Sequence, residues 1–338
     1  MHKQNLRTAI AAAGAMLVLI LDGKTALTGA AEGIAICLNT LIPSLFPFFL
    51  LSTLLTGALS GQDIPILRPL AKLCHIPKGA ESLLAIGFLG GYPVGAQNVS
   101  LAYQAGQLSD AQAARMIAFC NNAGPSFIFG ILGCMFSSPI AAWLLWAVHI
   151  TSALLVGMVL PDVQENRTIT PLPRTVRITD ALAQSVRTMG LVCGWVVLMR
   201  MLLSFLQRWF LWMLPLTVQI SISGILELAN SCVQLAHIDC EGLRFILASA
   251  FLSLGGFCVT LQTASVASGI PMRLYFPGKI LQCIISLLLS CLLQYVFPAK
   301  LRYPWGAIGA ASCVILVGIL LTLRYSQKNS GIPATVDV

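Results

Sequence analysis

Between Leu6 and Leu323 the chain is a series of apolar runs, most of them near the ~20 residues that a helix needs to cross a bilayer. No other feature limits the fold so strongly. In hydrocarbon every backbone N–H and C=O must be satisfied internally, and long unbroken apolar runs meet that demand as helices. Only 9% of the 338 residues are charged, against about 25% in a soluble domain. No stretch is long and polar enough for a separate soluble unit. The expectation is an all-α polytopic membrane protein, with residues 1–338 as one membrane domain in contact with the lipid bilayer.

The runs fall into two halves. Leu6–Leu21 comes first, with Lys3 and Arg7 ahead of its apolar stretch from Thr8 to Leu21, as in a signal peptide; small residues from Ala11 to Gly14 favour a retained span that packs on other helices. Repeat 1, about 24–160, then holds a weak run at Ala26–Leu38, a strong one at Thr40–Leu59 and an amphipathic interfacial segment at Gly61–Ala80. Next come a glycine-broken run at Ser82–Tyr103, a helix at Ala111–Met135 that Ser109 and Asp110 can cap, and a run at Pro139–Leu160. A polar connection, 161–178, carries three prolines and mixed charge. Repeat 2, about 179–324, gives runs at Ala181–Leu206, Phe210–Leu235, Leu243–Ile270, Leu274–Phe297 and Trp305–Leu323, before a polar tail at 325–338. Trp143, Trp146, Trp209, Trp212 and Trp305 stand near run ends, where an interfacial belt belongs.

Composition excludes several functions. Net charge is +8, but the basic residues flank the apolar runs, which is the bias of membrane spans and gives no nucleic-acid surface. The 11 cysteines lie singly, with no CxxC and no metal-ligand spacing, so free thiols are expected and no metal site or cofactor. His2, His75, His149 and His237 stand apart from any nucleophile, and there is no Walker motif; the chain is not read as an enzyme, and no residue is assigned a catalytic role.

Two stretches are wrong for plain anchors. In Gly90-Gly91-Tyr92-Pro93-Val94-Gly95-Ala96-Gln97, Gly and Pro weaken the helix at bilayer depth, and Pro93 frees the Leu89 carbonyl. Two short arms about this tip read as a re-entrant hairpin. In Cys120-Asn121-Asn122-Ala123-Gly124-Pro125-Ser126, Pro125 leaves the Asn121 carbonyl without its helical partner, and the amides and hydroxyl supply neutral donors and acceptors. Broken helices at the midplane are where carriers hold their solute. The first motif has an echo half a chain later: Gly255, Gly256, Val259 and Gln262 repeat Gly90, Gly91, Val94 and Gln97. That echo predicts a second hairpin tip at Gly255. Each half would then cross three times, which inverts the second half relative to the first, provided that Phe210–Leu235 does not cross. The candidate solute-binding residues are Gly90, Gly91, Tyr92, Pro93, Gln97, Asn121, Asn122, Gly124, Pro125, Ser126, Gly255, Gly256 and Gln262. Glu227, the one carboxylate set deep in an apolar run of the second half, is a candidate proton carrier or cation ligand, and Arg115 a candidate charge partner. Lys279, Arg187 and Arg200 are weaker cases of the same kind.

The segments Gly87–Gln97 (GFLGGYPVGAQ) and Phe119–Gly130 (FCNNAGPSFIFG), with Leu41–Phe49 and Gly224–Asn230, resemble the YlbJ-type sporulation integral membrane proteins. These fall in the wider group carrying a nucleoside recognition, or Gate, domain. The resemblance implies an inverted-repeat transporter fold and a cell-membrane location, multi-pass, in a forespore membrane of an endospore former. It also implies a small solute, with dipicolinic acid the implicated one, and gives Arg115 a purpose as its charge partner. Alternatives are a carrier of nucleosides or other small metabolites, and a non-transporting scaffold needed for spore envelope assembly. Homo-oligomerisation stays open.

Overall fold

In the computed structural model, which describes residues 3–59, 64–163 and 176–296, every regular element is helical. The run at Trp305–Leu323, the polar tail and most of the connection lie outside the described residues. Five segments among the described residues are long and apolar enough to cross a membrane: Gly23–Leu59, Ile140–Val159, Ile178–Trp209, Glu241–Val266 and Met272–Leu293. The all-helical polytopic expectation holds.

Helix α1 (Lys3–Leu21) precedes α2 (Gly23–Ile36), which continues through a π turn at Cys37–Leu41 into α3 (Ile42–Leu59). The two runs read there as separate are therefore one 37-residue helix. In the π turn the Ile42 N–H reaches back five residues to Cys37 O, next to Pro43, which cannot donate to the Asn39 carbonyl. Glu32, which weakened the first run in sequence, is ion-paired with Arg200 of α10 (Ile178–Trp209). Gly29 and Gly33 let that helix lie close; a Cβ at Gly29 would come within 2.5 Å of Ser204 Oγ.

The first half then forms α4 (Arg68–Leu73), a hairpin of α5 (Glu81–Leu89) and α6 (Val94–Gln104) packed side by side, and a broken helix. The break separates α7 (Asp110–Phe119) from α8 (Pro125–Phe127), with Cys120–Gly124 unwound between them. Ser109 caps α7 in a reciprocal box with Gln112, and Pro125 restarts the helix at its first position, where no N–H is needed. Helix α9 (Ile140–Val159) closes the half.

In the second half α10 is followed by α11 (Leu216–Leu226) and α12 (Leu228–Gln234), which pack against each other about Glu227. Then come α13 (Glu241–Leu254), α14 (Gly256–Val266) and α15 (Tyr275–Val296). The echo at Gly255 is thus not a hairpin tip. Helices α13 and α14 are not packed side by side: α13 lies chiefly against α15 and α9 and α14 against α10 and α6, while both touch α11 and α12. The hairpin of this half is Leu216–Gln234, inside the run whose crossing the sequence left open. Loop length explains the difference. Four residues, Gly90 to Pro93, reverse the chain in the first copy, but Gly255 alone separates two helices in the second. Gly255 and Gly256, at φ 71° and 74°, bend the axis in a conformation that L side chains rarely adopt.

Each half accordingly runs long helix, hairpin, broken helix, long helix. The packing follows the same pairing: α9 and α15 lie together, α7 packs on α15, and α13 packs on α9.

Candidate solute-binding site

The hairpins and the helix breaks meet. Gly91, at φ 78°, sits with its backbone against Gly124 of the first break. Gly256 of the second break faces the carbonyls of Gly224 and Ile225 in the second hairpin. Between them is a partly open cavity. Its wall takes Gly91 and Tyr92 from the first tip, Ala123, Gly124, Ser126 and Phe127 from the first break, Glu227, Leu228 and Ala229 from the second tip, and Val259 and Gln262 from α14. Leu45 and Phe49 of α3 and Val192 and Val196 of α10 complete an apolar side.

Glu227 is the one charged residue in this wall. It is buried and caps α12: Oε1 accepts from Ala229 N at 2.8 Å and Oε2 from Asn230 N at 2.5 Å. Spare lone pairs remain on both oxygens. Gln262 donates to Cys258 Sγ at 3.3 Å, a weak acceptor. The cavity therefore offers a mostly apolar body with a few oriented polar groups, the usual make-up of a small-molecule site.

Six of the residues singled out in sequence line the cavity: Gly91, Tyr92, Gly124, Ser126, Glu227 and Gln262. Asn121 and Asn122, both wholly buried, stand behind it as supports. Asn121 Oδ1 accepts from Ala96 N at 3.2 Å, taking up a free donor in the first turn of α6, and Nδ2 donates to Thr263 Oγ1 at 2.8 Å. One amide thereby ties the first hairpin to the far half of the second broken helix. Asn122 Nδ2 donates to Phe119 O at 2.6 Å, in the last turn of α7. Gly90, Pro93 and Pro125 are helix-terminal residues next to the cavity, Gly255 and Gly256 form the second break, and half-buried Gln97 is outside the wall.

Arg115 is elsewhere. Its guanidinium is buried against the carbonyls of Cys74, Pro161 and Gly157, with Nη1–Cys74 O at 2.7 Å and Nε–Pro161 O at 2.9 Å, and its charge lies over the Phe119 ring. It clamps the end of α4 to the end of α9 and does not enter the cavity wall.

The buried cation at the centre is Lys279 of α15. Its Nζ contacts Asn121 O at 2.5 Å, Gln282 Oε1 at 2.8 Å, Asn122 Oδ1 at 3.3 Å and Tyr92 Oη at 3.4 Å. Around it Tyr92 Oη donates to Leu252 O at 3.0 Å, in the last turn of α13, and His149 Nε2 accepts from Ala123 N at 3.0 Å. His149 and Gln282 thus belong to the same network, although the histidine looks isolated in sequence. Sequence marks Lys279 only as a weaker charged candidate, because nothing local says that a lone Lys in an apolar run faces the core.

No protein-family model matches the chain, and no solved structure does. Among curated proteins it is similar to the sporulation integral membrane protein YlbJ of Bacillus subtilis (strain 168), at 26% identity over 77% of this chain and 76% of the relative. That similarity agrees with the motif resemblance, and with five apolar helices long enough to cross a bilayer the chain is a multi-pass membrane protein similar to YlbJ.

Proposed function

We propose that the protein is a secondary-type carrier that moves a small polar or anionic solute across the membrane, with the cavity between the hairpin tips and helix breaks as its binding site. The observation that carries this reading is the make-up of the cavity wall, to which both hairpins and both broken helices contribute. A scaffold has no need of broken backbone at membrane depth, whereas a carrier uses it to hold solute and to close around it. If each hairpin returns to its own side, each half crosses three times, through its two long helices and its broken helix. The second half is then inverted, which is the plan of alternating-access carriers.

Dipicolinate is the first solute to try, given the sporulation relative, and nucleosides the second. Uptake of each into proteoliposomes, by wild type and by Ser126→Ala/Gln262→Leu, tests the proposal. A carrier loses uptake in the double variant while its unfolding midpoint and its yield in membranes stay near wild type. A scaffold shows no saturable uptake in either protein.

A further inference from the structure

The carbonyl of Asn121 is the one that Pro125 cannot pair, and it lies just past the C-terminal end of α7. In inverted-repeat carriers such unwound carbonyls, at the negative ends of half-helices, commonly coordinate a coupling cation. Here that position is filled by the chain itself. Lys279 Nζ stands 2.5 Å from Asn121 O and is ringed by three more oxygens, from Tyr92, Asn122 and Gln282. None of the four belongs to a carboxylate. The rings of Tyr92 and Tyr275 lie 5.2 and 5.9 Å from the ammonium and add π faces to the shell. The side chain is fully buried and has no carboxylate partner among the described residues. A shell of neutral oxygens from the tip of one repeat, the break of the same repeat and α15 of the other is the surround expected of a bound alkali ion, with an ammonium at its centre.

We propose that Lys279 is a tethered cation: its ammonium occupies the place that a coupling sodium ion takes at a broken helix, so the protein binds no sodium there. Two consequences follow. The break keeps its positive charge through the transport cycle, held on α15. Removal of the ammonium leaves an oxygen-lined site that a free cation can enter. The meaning for transport rests on the carrier reading, but occupancy of the site does not.

The test is thermal unfolding of the purified protein in nanodiscs, in sodium, potassium and choline chloride at equal ionic strength, for wild type, Lys279→Ala and Lys279→Met. Wild type is expected to unfold at the same temperature in all three salts. Lys279→Ala should unfold earlier and regain stability, saturably, with sodium or with n-propylammonium, which replaces the atoms removed, and not with choline. Lys279→Met, of similar length but uncharged, should be destabilised and regain nothing. Selective stabilisation of wild type by sodium overturns the proposal, and so does a Lys279→Met protein as stable as wild type. If the Ala variant does not fold, the wild-type salt series still decides. Uptake measurements separate the two readings. Saturable uptake by wild type, with no cation rescue of Lys279→Ala, ends the tethered-cation proposal and leaves the carrier standing. Absence of any uptake, with the cation rescue intact, does the reverse.

Discussion

Asn121 shows how much a single side chain does at the break. Its amide supplies a cap to α6 and a bond to α14, while its backbone carbonyl takes the Lys279 ammonium. Truncation in Asn121→Ala leaves the Ala96 N–H without that acceptor, a loss of about 1–3 kcal/mol for each buried group left unpaired. The unfolding midpoint in detergent should fall accordingly, with folded yield retained. Sterics make a second prediction. A Cβ on Gly95 would stand 2.2 Å from the Cys120 carbonyl oxygen, a backbone atom with nowhere to go, whereas nothing lies within 4 Å of a Cβ on Gly190. Gly95→Ala should cost at least the ~1–3 kcal/mol typical of overpacking. Gly190→Ala, inside α10, should be neutral or stabilise by up to about 1 kcal/mol. Chemical denaturation of the pair measures both signs. The importance of Asn121 and Pro125 was legible, because an orphaned carbonyl follows from the proline itself. The partner was not. Lys279 is distant in sequence, and a lone lysine in an apolar run reads the same whether it snorkels to headgroups or meets a carbonyl in the core.

At the scale of elements, the two Gly-Gly motifs do different jobs. One turns a hairpin and the other bends a crossing helix, and local residues look alike in both cases. What separates them is the environment: α5 and α6 share one another's faces, while α13 packs chiefly on α15 and α9 and α14 reaches α10 and α6. That information is spread over the chain and cannot be read at Gly255. The accessibility of introduced and native thiols tests the assignment. Cys240, exposed at the start of α13, and a cysteine at Ser268, exposed beyond α14, should be labelled from opposite sides of the membrane. Labelling of both from one side would restore the hairpin there and would remove the basis for three crossings per half. Cys134 should label with Cys240, since Ser137 is hydrogen-bonded to Glu241.

For the whole molecule, the all-helical, membrane-spanning plan was readable from apolar run length, since bilayer thickness leaves few alternatives. The cavity was only half readable. Its tip and break residues announce themselves by Gly and Pro, but its apolar side, from α3 and α10, consists of ordinary leucines, valines and phenylalanines whose orientation only packing decides. Those ordinary residues allow the most direct test, because filling the cavity from that side leaves the hairpins and breaks untouched. Val196→Trp, facing the cavity from α10, should keep the protein folded and lower the initial rate of dipicolinate or nucleoside uptake into proteoliposomes by at least about tenfold, equivalent to ~1.4 kcal/mol. Uptake by wild type that the tryptophan leaves unchanged would contradict a solute path through this cavity.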